Sequence, residues 1–251
     1  MDKIQKVISF LIENIGKVLP IGELEVSNFT KPDYEITPKE YLHFAKEEIN
    51  KETLNGNINA LGHLKRAVDG QMDCFFEVIN LKRIVKNKNL KFDVKISFLQ
   101  KAGVITANSM KKLNKIRNEM EHEYKQPTEI ELIDYYELTW DFIEILDYRL
   151  ILLFDHLEMN FNNEIENKED KRNIKAKFNI EHQKIIFESK GFEENICQSF
   201  SLDHEENSEE FAKAMHIYLL LAKLYATWEI IEFFDEMEQI EEEYDVIKVV
   251  S

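Results

Sequence analysis

The chain has 251 residues, of which 44% are hydrophobic and 11% aromatic, enough apolar material to pack one or two cores without disulfide or metal staples. Its net charge of −16 is unevenly spread, with 22 Lys/Arg against 26 Asp/Glu in residues 1–160 and 10 against 22 in residues 161–251, which by itself argues against a basic footprint over the whole surface. The longest apolar run, Leu150 to Phe154, is far short of a membrane span, and Cys74 and Cys197 occur without a Cys-x-x-Cys or a secretory leader; the chain therefore reads as cytoplasmic, free of the membrane, with reduced thiols, one in a buried helix and one in a buried strand.

Ile4, Val7, Ile8, Leu11, Ile12, Ile15 and Leu19 recur at helical spacing, and Pro20 with Gly22 stops the run, so residues 2–19 form an amphipathic helix. Residues 20–37 read as an irregular connector. Thr37-Pro38-Lys39-Glu40 combines a capping box with proline at the first helical position, a strong helix start. Asn55-Gly56-Asn57 suggests a break, after which Ile58, Leu61, Leu64, Val68, Met72, Phe75, Phe76 and Ile79 mark a long helix. A basic turn follows near residues 86–90, then a short helix over 93–102 ended by Gly103, then a helix over 107–125 ended before Pro127. Thr128-Glu129-Ile130-Glu131 is a second capping box, and the helix it starts is expected to run to about Asn160.

At Asn160 the composition turns polar and charged, so the chain divides there into a helical bundle over 1–160 and a small acidic region over 161–251. In that region Ile174, Ala176, Phe178 and Ile180 alternate, a turn lies around Glu181-His182-Gln183, and Ile185 and Phe187 resume the alternation, which is a hairpin by period. Residues 196–202 add a third strand, 208–235 a helix, and 236–245 an acidic end that is frayed or bound to a partner. Trp140 and Trp228 are assigned to the core with the phenylalanines. The fold class is mainly α, a helical bundle carrying a small C-terminal α+β appendage of a hairpin or three short strands plus a helix.

Chemistry concentrates between residues 82 and 124. Residues 82–117 hold eleven Lys/Arg against a single Asp, a local +10 in an acidic chain. The segment leads into Arg117-Asn118-Glu119-Met120-Glu121-His122-Glu123-Tyr124. An arginine and a histidine supply what metal-free phosphodiester cleavage needs: a permanent cation for the phosphate and a group that exchanges protons near neutral pH. With five arginines and seven histidines in the chain, the bare Arg-x-x-x-x-His pair arises by chance in about one such sequence in seven. The bland reading pairs Arg117 with Glu121 at i,i+4 and leaves His122 on the surface beside Glu119 and Glu123.

The longer string, over roughly residues 38–158, resembles the HEPN family of small helical domains found in many metal-independent ribonucleases. Arg117, His122 and Tyr124 match the Arg-x(4)-His-x-Tyr form of one toxin branch, Asn118 matches the polar neighbour common after the arginine, and Leu61-Gly62-His63-Leu64-Lys65-Arg66 resembles the helix preceding the motif helix. The resemblance implies a HEPN-like bundle, no cofactor or metal, and single-stranded RNA cut by its own 2′-hydroxyl. Arg117 would stabilise the phosphorane, His122 would move the proton and Asn118 would orient ribose or imidazole. Lys111, Lys112, Lys115, Tyr124, His63 and Arg66 are candidate substrate contacts, with packing or hydrogen bonding favoured for Tyr124.

Residues five apart on a helix differ by about 140° in direction, so one copy carries half a site, and a homodimer is expected. A toxin–antitoxin or phage-defence setting, with an antitoxin or acidic protein as partner, follows by family analogy alone. The competing class is a non-catalytic interaction module binding a protein or nucleotide partner.

Overall fold

The computed structural model describes residues 2–17, 23–26, 29–81, 92–105, 128–160, 172–202 and 208–250. The chain separates into two compact units, one formed by Phe29–Ile151 and the other by Met1–Asn28 together with Leu152–Ser251. This replaces the boundary expected at residue 160. Helix α1 (Lys3–Asn14) buries Ile4, Val7, Ile8 and Leu11 against elements of the C-terminal region, a long-range pairing that local composition does not encode.

The unit 29–151 is helical. α2 (Pro38–Ile49) starts as expected, with the Glu40 amide donating to Thr37 Oγ1 at 3.2 Å and the Thr37 amide donating to Glu40 Oε2 at 2.7 Å, so two orphan amides are satisfied reciprocally. α3 (Leu54–Val78) runs through the expected break at residues 55–57, because Thr53 caps it by accepting from the Gly56 amide at 3.0 Å. A Cβ at Gly56 would lie 2.5 Å from the Glu48 carbonyl oxygen. The glycine marks a close approach of α3 to the end of α2 rather than a stop.

α4 (Phe92–Lys101) ends with Gly103 at φ +63°, the Gly103 amide donating to the Gln100 carbonyl and the Val104 amide to the Leu99 carbonyl, as a left-handed C-terminal residue permits. α5 (Glu129–Ile151) is capped by Thr128, whose hydroxyl accepts from the Glu131 amide at 3.2 Å. Its buried side chains, including Leu132, Phe142, Ile143 and Leu146, meet α2 and α3, which bury Leu42, Leu64, Val68, Met72 and Phe75.

α5 stops at Ile151 instead of continuing to Asn160. Residues Phe154–Asn160 form β2, with Leu157 opposite Ala176 and Met159 opposite Ile174. The apolar run from Leu150 to Phe154 extends the helical stripe on paper, but the period changes to two at Leu157 and Met159, both of which are buried.

The second unit holds a five-stranded antiparallel sheet in sequential order: β1 (Leu24–Val26), β2, β3 (Asn173–Asn179), β4 (Lys184–Lys190) and β5 (Cys197–Ser201). It is larger than the expected hairpin or three strands, because β1 comes from the stretch read as an irregular connector and β2 from the stretch read as helix. The hairpin itself matches, its turn closing at Gln183 with φ +49°.

One sheet face carries Leu157, Met159, Ile174, Ala176, Phe178, Ile185, Phe187 and Phe200, all buried. Phe178 lies 6.4 Å from Phe211 and 6.0 Å from Tyr218, ring centre to centre; both belong to α6 (Ser208–Thr227).

The helix expected over 208–235 ends at Thr227, where Trp228 takes φ +62°, and α7 (Ile230–Val250) follows. α7 buries Phe233, Met237 and Ile240, so the acidic C-terminal stretch is helical rather than frayed. Cys197 is exposed, contrary to its assignment to a buried strand position, whereas Cys74 is buried. Trp140 and Trp228 are exposed rather than core.

The described part is thus mostly helical, with an antiparallel sheet in the α+β unit. None of its helices is long and apolar enough to cross a membrane.

Candidate functional site

Arg117, Asn118, His122, Lys111, Lys112, Lys115 and Tyr124 all lie outside the described residues. Both flanks of that stretch are described. On one side Ala102, Val104 and Ile105 are buried after α4; on the other, Thr128 is held by its reciprocal bonds with Glu131, the Thr128 amide donating to Glu131 Oε2 at 2.8 Å.

His63 and Arg66 sit on α3. The His63 ring lies 6.0 Å from Tyr41 at a 30° tilt and 5.7 Å from Phe44 in an edge-on arrangement. Its Nδ1 is shielded from solvent and has no hydrogen-bond partner among the described residues. His63 is therefore wedged among aromatic rings of α2. Arg66 is exposed and donates from Nη1 to the carbonyl of Gly62, one turn back, at 3.4 Å. At i,i+3 the two residues are neighbours on the helix surface, yet their side chains go to different surroundings, one to the rings of α2 and one back along its own helix.

A polar cluster among the described residues of this unit gathers around Asp147. Lys31 donates to Asp147 Oδ1 at 2.8 Å, and the buried Gln71 donates to the same oxygen at 2.8 Å. Lys39 lies 3.5 Å from Asp147 Oδ2 and bonds Glu144 at 2.7 Å. Burial pushes the Asp147 carboxyl up, but hydrogen bonds from Lys31 and Gln71 and the charges of Lys31 and Lys39 outweigh it and hold the group below its ordinary value. Tyr34 is pushed up to about 12, first by burial and then by Cys74, Glu77 and Asp73. Burial likewise raises the Cys74 thiol.

An ionised Asp147 cannot donate a proton near neutral pH, and a buried, protonated Cys74 is a poor nucleophile. The cluster instead ties the segment before α2 to α3 and α5. Its only sequence signal was the position of polar Gln71 and Asp147 within apolar helical stripes.

In the α+β unit, Glu158 on β2 is almost fully buried and is bonded by Lys175 at 2.8 Å and by the Asn173 side-chain amide at 3.1 Å, with His156 at 3.5 Å. Burial raises its carboxyl, and the Lys175 bond and charge together with His156 bring it below the ordinary range. Across α6 and α7, Lys223 bridges Glu232 at 2.6 Å and Glu236 at 3.3 Å, and His216 lies 4.0 Å from Glu236. No group of three His, Cys, Asp or Glu among the described residues is arranged to hold a metal.

No family model matches this chain, and no curated protein or solved structure was found to be similar to it.

Proposed function

We propose that the chain is a metal-independent endoribonuclease of the HEPN kind, built on a HEPN-like bundle and cutting single-stranded RNA in a site completed by a second copy. The observation that carries the reading is the string Arg117-Asn118-Glu119-Met120-Glu121-His122-Glu123-Tyr124 at the end of a +10 segment. The helical character of the unit 29–151, in which that string falls between α4 and α5, is consistent with it.

In this reading the 2′-hydroxyl attacks the adjacent phosphorus, the bond to the 5′-oxygen of the next nucleotide breaks, and a 2′,3′-cyclic phosphate and a 5′-hydroxyl result. His122 takes the proton from the 2′-hydroxyl or gives one to the leaving oxygen, and Arg117 stabilises charge on the phosphorane. Asn118 orients ribose or imidazole, while Lys111, Lys112 and Lys115 attract the phosphate chain. The expected setting is a toxin or phage-defence system in which an antitoxin or acidic protein restrains the nuclease.

The test is cleavage of single-stranded RNA in the presence of chelator. Wild type should produce 2′,3′-cyclic ends, and His122→Ala and Arg117→Ala should each lose at least about a hundredfold in rate, the contribution expected of a positioned proton-transfer group or of charge stabilisation at the phosphorane. Equal rates for wild type and His122→Ala would overturn the assignment.

One feature favours a non-catalytic interaction module as a second reading: Glu119, Glu121 and Glu123 interleave the motif, and carboxylates beside a phosphate site repel substrate. Binding of RNA or of a protein partner without cleavage, unchanged in His122→Ala, is the outcome that reading expects.

A further inference from the structure

One face of helix α5, carrying Leu132, Tyr135, Phe142, Ile143, Leu146 and Leu150, is buried in the helical unit. On the far side Ile130, Ile133, Trp140, Ile145, Tyr148 and Ile151 are exposed, Trp140 by 50% and Ile151 by 62%. Six of the thirteen large apolar side chains exposed among the described residues thus belong to this one helix, a concentration that singly scattered surface residues do not produce.

Three carboxylates share that arc. At about 100° per residue, Glu144 lies about 20°, Glu137 about 40° and Asp141 about 80° from the line through Ile133 and Ile151, with Trp140 about 20° to its other side. All three are exposed. Glu144 accepts from Lys39 at 2.7 Å, whereas Glu137 and Asp141 make no ion pair among the described residues. The face is therefore apolar towards both ends, aromatic in the middle, and negative around the indole.

That pattern selects its occupant. A second copy of the same face would set carboxylate against carboxylate, and a phosphate-bearing partner would meet the same repulsion. A purely apolar cover would strip water from Glu137 and Asp141 and give nothing in return. A cationic amphipathic helix meets both demands. Laid along α5, its apolar stripe covers Ile133, Tyr148 and Ile151 while its lysines or arginines pair with Glu137 and Asp141, and a guanidinium stacks on the Trp140 ring. The line from Ile133 to Ile151 is about 27 Å long, room for about five turns of such a partner.

We propose that the outer face of α5 is a docking surface for a basic amphipathic helix of a partner protein. The proposal does not rest on the nuclease reading, and the partner it names is opposite in charge to the acidic one expected to restrain the nuclease.

The test uses the full chain and a dye-labelled synthetic helix of about 18 residues, built of leucine, lysine and arginine at helical spacing, with a control in which glutamate replaces every basic residue. Anisotropy should show saturable binding of the basic peptide that weakens as salt rises, and none of the acidic one. Glu137→Lys with Asp141→Lys, and separately Trp140→Ala, should each weaken binding at least about tenfold. Glu193→Lys with Glu194→Lys, the same charge change at exposed positions after β4, should leave it within about twofold, since distant exposed charges are screened. If Trp140→Ala fails to fold, Glu137→Gln with Asp141→Asn should weaken binding in its place.

Absence of binding at about 100 µM, or equal binding of both peptides, overturns the proposal. Equal weakening by the two lysine pairs does so too, since it would show adventitious attraction to a chain of net charge −16. So does a wild type that sediments at twice the 29.8 kDa chain mass and falls to single-chain mass in Trp140→Ala, which would give the face to a second copy. A lower melting point in Glu137→Lys with Asp141→Lys, at unchanged peptide binding, would give it to the chain's own residues. The nuclease reading fails separately: it is lost if His122→Ala cleaves like wild type, whatever the peptide does.

Discussion

At the residue scale, the strongest constraints are close contacts that composition does not announce. Gly56 resembles a helix breaker, but its role is steric, since a Cβ there meets the Glu48 carbonyl oxygen at 2.5 Å and Thr53 Oγ1 at 3.0 Å. Gly56→Ala should destabilise the chain by about 1–3 kcal/mol, the cost of forcing a methyl into a packed contact, measured by chemical denaturation; an unchanged midpoint would show that α2 and α3 separate at no cost. Asp147 illustrates a second kind of constraint. The buried Gln71 amide donates to it at 2.8 Å, so Asp147→Ala orphans a buried donor and should cost about 1–3 kcal/mol. Because the folded carboxyl is held below its ordinary value, its stabilising contribution is complete above the unfolded-chain value of about 3.9 and disappears as pH falls through the lower folded value. Acid unfolding of Asp147→Asn should therefore be shallower than that of wild type over that window.

At the element scale, the sheet and its covering helix share an aromatic contact. Phe178 is fully buried between Phe211 and Tyr218, and Phe178→Ala should cost about 3–5 kcal/mol, the range for emptying an aromatic site in a core. The end of α6 offers a change of opposite sign. Trp228 is an exposed residue at φ +62° whose amide still donates to the Leu224 carbonyl at 2.8 Å, a conformation that glycine adopts without the penalty of a Cβ. Trp228→Gly should raise stability by about 0.5–1 kcal/mol in a thermal or urea melt; a loss instead would show that the indole ring packs usefully despite its exposure.

At the scale of the whole molecule, the two units each carry their own core, and α1 belongs to the one formed mainly by residues after 151. Ile4, Val7, Ile8 and Leu11 are inaccessible to solvent, and the Gln5 side chain donates to Glu241 at 2.7 Å. Deleting residues 1–17 should expose the sheet unit to proteolysis and hydrogen exchange while protection of α2, α3 and α5 is retained. Loss of protection in both units together would mean that they fold as one cooperative block.

Much of the local structure was legible in the amino-acid order. Thr37-Pro38-Lys39-Glu40 and Thr128 with Glu131 are start signals that act within one turn, Gly103 is a stop of the same kind, and the β3–β4 alternation with its turn needs only neighbouring residues. The Arg117 to His122 string, with Asn118 and Tyr124 beside it, was also visible from sequence alone. What the tertiary structure decided are the pairings between distant residues: β1 and β2 joining one sheet, α1 joining the C-terminal unit, Asp147 collecting Lys31, Lys39 and Gln71, and Trp140 facing outward on a helix apolar on both sides. Periodicity reports that a face is apolar, because that is a property of spacing along one element. It does not report which surface covers that face, because burial depends on what chain closure brings opposite it.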